Sequence, residues 1–300
     1  MARRLAHPGP LADIEWLERH LDHPDLVLLE VDERPLMYRL GHIEGAHGLD
    51  WHTDLQDPVT RDLPDVDAMT RLWRRVGITE DSVVVLYGDQ NNWYACFGYW
   101  LFRQNGLRNL TILDGGRPAW VTSGRPVTLE DPHPRPRADP PTPTADDAVR
   151  AFWGDVHELS QQDGVLIDVR TAEEYRGELL TEPGYPLEGA QRPGHIPGAH
   201  HVPWDEATAA DGSFRPPEQL RVMYAEKGID LERPIVTYCR IGERSAHTWF
   251  VLRELMGVDQ VRNYDGSWTE WGSMVRMPVA IGGERGTLPG SAAVSSDQAV

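Results

Sequence analysis

Lysine is almost absent from this 300-residue chain. Of its 29 basic residues only Lys227 is not arginine, and 47 acidic residues leave a formal net charge of −18. That negative excess argues against a nucleic-acid footprint and against adhesion to an anionic membrane surface, both of which need a basic face. It also sets a condition: an anionic substrate must be held by a local arginine cluster working against the global field. Cysteine is equally scarce. Cys96 and Cys239 stand 143 positions apart and share no C-x-x-C motif, which excludes a disulfide framework, a four-cysteine zinc site and an iron–sulfur cluster. No apolar run approaches the roughly 18–20 residues that cross a bilayer. Arg3 and Arg4 are not followed by the apolar stretch of a secretory signal, so a cytoplasmic protein is expected. What is present, 40% apolar and 25% charged residues, suffices for one or two ordinary hydrophobic cores.

The chain reads as a duplicated unit. VLLEVD at 27–32 resembles VLIDVR at 165–170, and GHIEGAHGLDW at 41–51 matches GHIPGAHHVPW at 194–204. VVVLY at 83–87 matches PIVTY at 234–238, and LDGGRPAW at 113–120 matches YDGSWTEW at 264–271. Four blocks in the same order are hard to produce by chance. The offset grows from 138 to 151–153, which places an insertion near 177–192 of the second copy. Between the copies, the proline density of 126–147 forbids helix interiors and central strands, so that stretch reads as an extended linker. The Gly/Ser/Ala-rich residues 282–300 read as a disordered tail.

Within each copy, short β-branched runs such as 165–169 and 235–238 alternate with helical stretches such as 216–227 and 245–256. Pro217 suits a first helical position. Strands alternating with helices imply an α/β fold with parallel sheets covered by helices on both faces.

The informative loop closes the run 235–238: Cys239-Arg240-Ile241-Gly242-Glu243-Arg244-Ser245. A cysteine where a parallel strand ends and a helix begins occupies the usual ligand position of an open α/β sheet. A tight turn there aims backbone N–H groups inward, the helix adds its partial positive charge, and Gly242 supplies backbone freedom. With the charges of Arg240 and Arg244, these features are expected to lower the thiol pKa inside a concave positive pocket. Cys96, in the apolar run 93–102, reads as core. The equivalent turn of the first copy has Gly88 at the place of Cys239, Asp89 at Arg240 and Trp93 at Arg244, so that copy is expected to be catalytically silent.

On these residues, over roughly 10–280, the chain resembles the tandem-domain rhodaneses, which are thiosulfate sulfurtransferases. The resemblance implies two α/β rhodanese-like domains, each a central parallel sheet flanked by helices. It divides the chain into an inactive domain over 1–126, a linker over 127–147, a catalytic domain over 148–281 and the tail. It implies no metal and no cofactor. Cys239 would be the catalytic nucleophile, taking the outer sulfur of thiosulfate as a persulfide and passing it to cyanide or a thiol, thioredoxin among the candidates. Arg240 and Arg244 would hold the sulfonate. Arg170, which follows 165–169, and Arg192, before GHIPGA, resemble further substrate arginines. Ile241, Gly242, Glu243 and Ser245 complete the loop, with Glu243 expected to point outward or to pair with an arginine.

Two other readings stay open. A 3-mercaptopyruvate sulfurtransferase shares the fold, but small neutral residues usually follow its cysteine, and Arg240 favours a doubly charged inorganic donor. A Cys-Arg phosphatase related by fold has five residues between Cys and Arg where this loop has four; an inert sulfur-binding module would not need the nucleophile and its arginines. His195, His200 and His201 are tempting as a metal cluster, yet His42 and His47 stand at related places in the silent copy, which favours a scaffold role. Trp51, Trp120, Trp204 and Trp271 recur between copies and read as core, whereas Trp268 has no counterpart and is a candidate to line the pocket.

Overall fold

A computed structural model describes residues 4–34, 36–132, 139–161, 164–181 and 189–287. Positions 133–138 of the expected linker, 182–188 of the insertion and 288–300 of the tail lie outside the described residues. Among the described residues the chain builds two parallel five-stranded sheets, each flanked by helices.

The first sheet contains β1 (Leu11–Ala12), β2 (Leu26–Asp32), β3 (Ala46–Asp50), β4 (Val83–Tyr87) and β5 (Leu110–Leu113), in the spatial order β1-β5-β4-β2-β3. The second contains β6 (Arg150–Ala151), β7 (Val165–Asp168), β8 (His200–His201), β9 (Ile235–Tyr238) and β10 (Val261–Tyr264), in the order β6-β10-β9-β7-β8. Shifting every label by five turns one sheet into the other, so the sequence repeat is a repeat of topology. Strands β2, β4, β7 and β9 are buried along their whole length, which is why they read as continuous apolar runs without polar alternation. In the second sheet Thr237 of β9 pairs with Ile167 of β7 on one side and Asn263 of β10 on the other. Cys239 therefore leaves the central strand of its sheet.

The repeat extends to single contacts. His42 stacks on Tyr38 with ring centroids 3.8 Å apart, and its Nδ1 lies 3.0 Å from the Tyr38 carbonyl. His195 stacks on Tyr175 at 3.7 Å, with Nδ1 2.8 Å from the Tyr175 carbonyl. Ile43 N–H donates to the Tyr87 hydroxyl and Ile196 N–H to the Tyr238 hydroxyl, each at 3.0 Å. Trp120 and Trp271 donate from their indoles to the carbonyls of Pro126 and Pro278. The GHIEGA and GHIPGA segments are thus structural corners that tie a helix to its central strand. Gly194 has φ +114°, and a Cβ there would overlap the Ala280 carbonyl oxygen.

The chain divides into two compact units. One comprises the residues through Asp146 together with Thr208–Arg215, and the other the rest from Asp147 onward. The segment Thr208–Arg215 lies in the sequence of the second repeat yet packs within the first unit. There the Thr208 hydroxyl accepts from the Asn91 side chain at 3.1 Å, and Phe214 N–H donates to Asp114 at 2.9 Å. The helix expected over 245–256 begins earlier, at Glu243, runs as α-helix to Phe250 and continues as a π-helical turn over Val251–Leu255. Cys96 is fully buried in the helix Trp93–Gln104. Among the described residues no helix is long and apolar enough to cross a membrane.

Candidate active site

The turn after β9 is built so that its backbone cannot wander. Gly242 has φ +98°, and a Cβ added to it would come within 2.6 Å of the Asp265 Cα, so the position admits only glycine. Asn263 on β10 donates to the Gly242 carbonyl at 3.0 Å and accepts from the Ser245 hydroxyl at 2.6 Å. Thr237 donates to the Ser245 carbonyl at 3.1 Å. On the other side, Cys239 N–H donates to the Ser267 hydroxyl at 3.0 Å, which itself donates to the Tyr264 carbonyl at 2.6 Å. Trp268 N–H reaches the Cys239 carbonyl at 3.1 Å and Thr269 N–H the Arg240 carbonyl at 3.0 Å. The N–H and carbonyl of Cys239 and the carbonyl of Arg240 are thereby used to fix the loop.

The sulfur receives the Gly242 N–H at 3.1 Å, and the thiol donates to Glu243 Oε2 at 3.3 Å. The other carboxylate oxygen of Glu243 accepts from Arg240 Nη2 at 3.2 Å and lies 3.9 Å from Arg244 Nε. Arg244 meets Glu174 through two parallel bonds of 2.9 and 3.1 Å. Glu174 belongs to a capping box: its carboxylate also accepts the Thr171 N–H, and the Thr171 hydroxyl accepts the Glu174 N–H.

Glu243 takes the second of its two expected placements: it is fully buried, takes the thiol's hydrogen bond and pairs with Arg240. Three expectations change on contact with these distances. The thiol is not shifted down. Burial, and then the Glu243 carboxylate, push it up; Arg244 and Ser245 oppose them and lose. The sulfur does not face an open positive pocket, because Cys239 has 0% exposure and Arg240 only 1%. Nor is the positive charge in surplus: Arg240 is set against Glu243, Arg244 against Glu174 and Arg170 against Asp168.

Arg170 and Arg192 occupy different surroundings. Arg170 is buried, binds Asp168 at 2.6 Å and the Gly194 carbonyl at 2.7 Å, and lies 4.8 Å from the Trp268 ring centroid. Burial opposes its charge, but Asp168 outweighs burial and holds the guanidinium charged. Arg192 donates to the carbonyls of Trp271, Gly272, Met274 and Met277 at 2.8–3.2 Å, clasping the chain beyond the helix Ser267–Trp271. Trp268 is buried, with its indole N–H on the Arg192 carbonyl. His201 Nε2 lies 2.8 Å from the Arg170 carbonyl, and among the described residues no group of His, Cys, Asp and Glu is arranged to hold a metal ion.

Sequence reasoning missed Glu174, Ser267 and Asn263. Only Glu174 carried a legible local signal, the Thr-x-x-Glu spacing of a helix start. In the first unit the equivalent turn has no sulfur. A Cβ on Gly88 would overlap the Val31 carbonyl oxygen, while Asn92 accepts the Gly88 N–H at 2.9 Å and Asp89 N–H donates to Asp32 at 2.6 Å.

The profile of the family described as "Rhodanese-like domain" matches residues 13–123 and 153–274. A protein of Thermus thermophilus named sulfur carrier protein TtuD is 48% identical over 284 residues, covering 93% of this chain and 99% of its own. A protein of Mycolicibacterium smegmatis, provisionally named a thiosulfate sulfurtransferase, is 45% identical over 278 residues, covering 93% of this chain and all of its own. Among solved structures, the anaerobic ergothioneine biosynthesis enzyme of Chlorobium limicola with trimethyl histidine superposes with a TM-score of 0.79 at 24% identity. It covers 93% of this chain and 72% of that one, a likeness of fold.

Proposed function

This chain belongs to the rhodanese-like family, and we propose that it transfers the outer sulfur of thiosulfate to cyanide or a thiol through a persulfide on Cys239. The observation that carries the reading is the Gly242 N–H aimed at the Cys239 sulfur from 3.1 Å, at the end of the central strand and the start of the helix Glu243–Phe250. An amide donor in that place favours a negative sulfur, whether thiolate or persulfide. The provisional name of the mycobacterial relative supports thiosulfate as donor, and the Thermus protein's name supports delivery of the sulfur to another molecule.

In the first half-reaction, Cys239 releases its proton to the medium and the thiolate attacks the outer sulfur of thiosulfate. The sulfur–sulfur bond breaks, its electron pair leaves with sulfite, and Cys239 carries the persulfide. In the second, the acceptor's nucleophilic atom takes the outer sulfur and the Cys239 thiolate returns. Arg240 is the guanidinium of the loop assigned to the sulfonate oxygens. Arg244 acts through Glu174, Arg170 through Asp168 and Arg192 through the carbonyls it clasps. These three hold the loop's surroundings rather than the substrate. Ile241, Gly242 and Ser245 shape the turn. The first unit, with Gly88 in place of the nucleophile, is a non-catalytic partner in this reading.

The test is thiocyanate formation from thiosulfate and cyanide by the purified protein. Wild type is expected to form it, and Cys239→Ser is expected to form none. Retained activity in that variant removes the assignment. A kcat/KM that favours mercaptopyruvate over thiosulfate reverses the donor.

A further inference from the structure

A carboxylate is an odd neighbour for a sulfur that must become negative and receive an anion. Glu243 sits four residues after Cys239, with one oxygen on the thiol at 3.3 Å and the other on Arg240 at 3.2 Å. It therefore fills both roles an incoming anionic donor would fill: acceptor for Arg240 and neighbour of the sulfur. We propose that Glu243 is a built-in occupant of the anion cradle, which holds Cys239 as a thiol at rest and which an anionic donor must displace from Arg240. The inference rests on the sulfurtransferase reading and adds to it a specificity-determining residue.

From the loop and its helix come Arg240, Glu243 and Arg244; from the capping box of the helix Ala172–Arg176 comes Glu174; and from the end of β7 come Asp168 and Arg170. Against Gly242 lies Asp265, paired with Arg150 at 3.0 Å. Four guanidinium groups thus face four carboxylates, and ionising the thiol adds an uncompensated charge in a buried site. A dianion entering this arrangement would add two more. Displacing Glu243 from Arg240 frees one guanidinium for the donor without disturbing the Arg244–Glu174 and Arg170–Asp168 pairs. The raised thiol pKa, due first to burial and next to Glu243, agrees in direction.

Neutralising the carboxylate isosterically separates this role from a structural one. In Glu243→Gln the amide still reaches Arg240 and the sulfur, but its charge is gone. The thiolate is read directly by its ultraviolet absorbance, as the difference from the same protein carrying Cys239→Ser, so no reagent has to reach the buried sulfur. The midpoint of Cys239 ionisation is expected to fall by about one pH unit or more in Glu243→Gln. The thiosulfate concentration for half-maximal persulfide formation is expected to fall about tenfold with it. Glu243→Ala, which removes the side chain altogether, should move both readouts the same way. An unchanged or raised midpoint in both variants overturns the proposal, as does weaker thiosulfate use accompanying a lowered midpoint. If the wild-type protein gains no sulfur from thiosulfate, the donor assignment fails by itself. The absorbance midpoint still reports whether Glu243 holds the thiol protonated.

Discussion

Arg244 and Glu174 face each other across two parallel hydrogen bonds, 2.9 and 3.1 Å long, with neither side chain exposed by more than 1%. This pair joins the helix that follows Cys239 to the helix that follows β7, and so fixes the loop from outside. Breaking it leaves a charge stranded in the interior.

Burial pushes the Glu174 carboxyl up, but Arg244 outweighs burial and lowers it to about 2 from its ordinary 4.5. The stabilisation is fully present above the ordinary value and is lost as the pH falls from 4.5 toward 2. Glu174→Gln is expected to cost about 3 kcal/mol at neutral pH and to flatten the acid limb of the stability curve. Denaturant midpoints of both proteins between about pH 7 and pH 3 check this. An unaltered acid limb contradicts it.

Ser267 holds the Cys239 amide while itself sitting at φ +53°. Ser267→Ala leaves that buried N–H without its acceptor and is expected to cost about 1–3 kcal/mol. Persulfide formation should slow with it, because the amide fixes where the loop starts. Hydrogen exchange at Cys239 N–H should accelerate in the variant, and unchanged protection would show that the serine does not hold the loop.

In the first unit, burial and then Glu30 raise the Asp32 carboxyl to about 9. Its Oδ1 accepts the Asp89 N–H at 2.6 Å. The folded protein keeps a proton that the unfolded chain releases, so this group's contribution to stability is lost as the pH climbs from 3.8 to about 9. Asp32→Asn supplies a permanent donor toward Glu30 and keeps the acceptor for Asp89. At about pH 8 it is expected to be more stable than wild type by about 1–3 kcal/mol, with a smaller gain at about pH 5. Thermal melts at the two pH values decide; destabilisation at the higher one contradicts the assignment.

For Arg240, substitution by glycine removes the guanidinium assigned to the sulfonate. The kcat/KM for thiosulfate should fall at least about tenfold more than that for mercaptopyruvate, whose charge is smaller. Equal losses on the two donors would place Arg240 among the loop's structural residues.

Much of the fold was legible because parallel strands buried on both faces leave unbroken apolar runs, and because a duplicated domain states its pattern twice. The strand ending before Cys239, the cysteine-free turn at Gly88 and the corner built by GHIPGA all follow from that repetition. What sequence could not convey was direction. Whether Glu243 points out or in depends on where the helix starts, and it starts at Glu243 itself, which turns the side chain back onto the loop. Arg192 and Arg170 carry the right charge near the right motif, yet their partners are backbone carbonyls and a carboxylate that only the folded chain brings near. The assignment of Thr208–Arg215 to the first unit is likewise a long-range contact without a local signal.

The central claim is that Cys239 carries the transferred sulfur. Intact-protein mass after incubation with thiosulfate and removal of excess reagent tests it without an acceptor. Wild type should gain the mass of one sulfur atom, lost again on adding cyanide, and Cys239→Ser should gain none. A gain that survives Cys239→Ser, or no gain in the wild-type protein, contradicts the account.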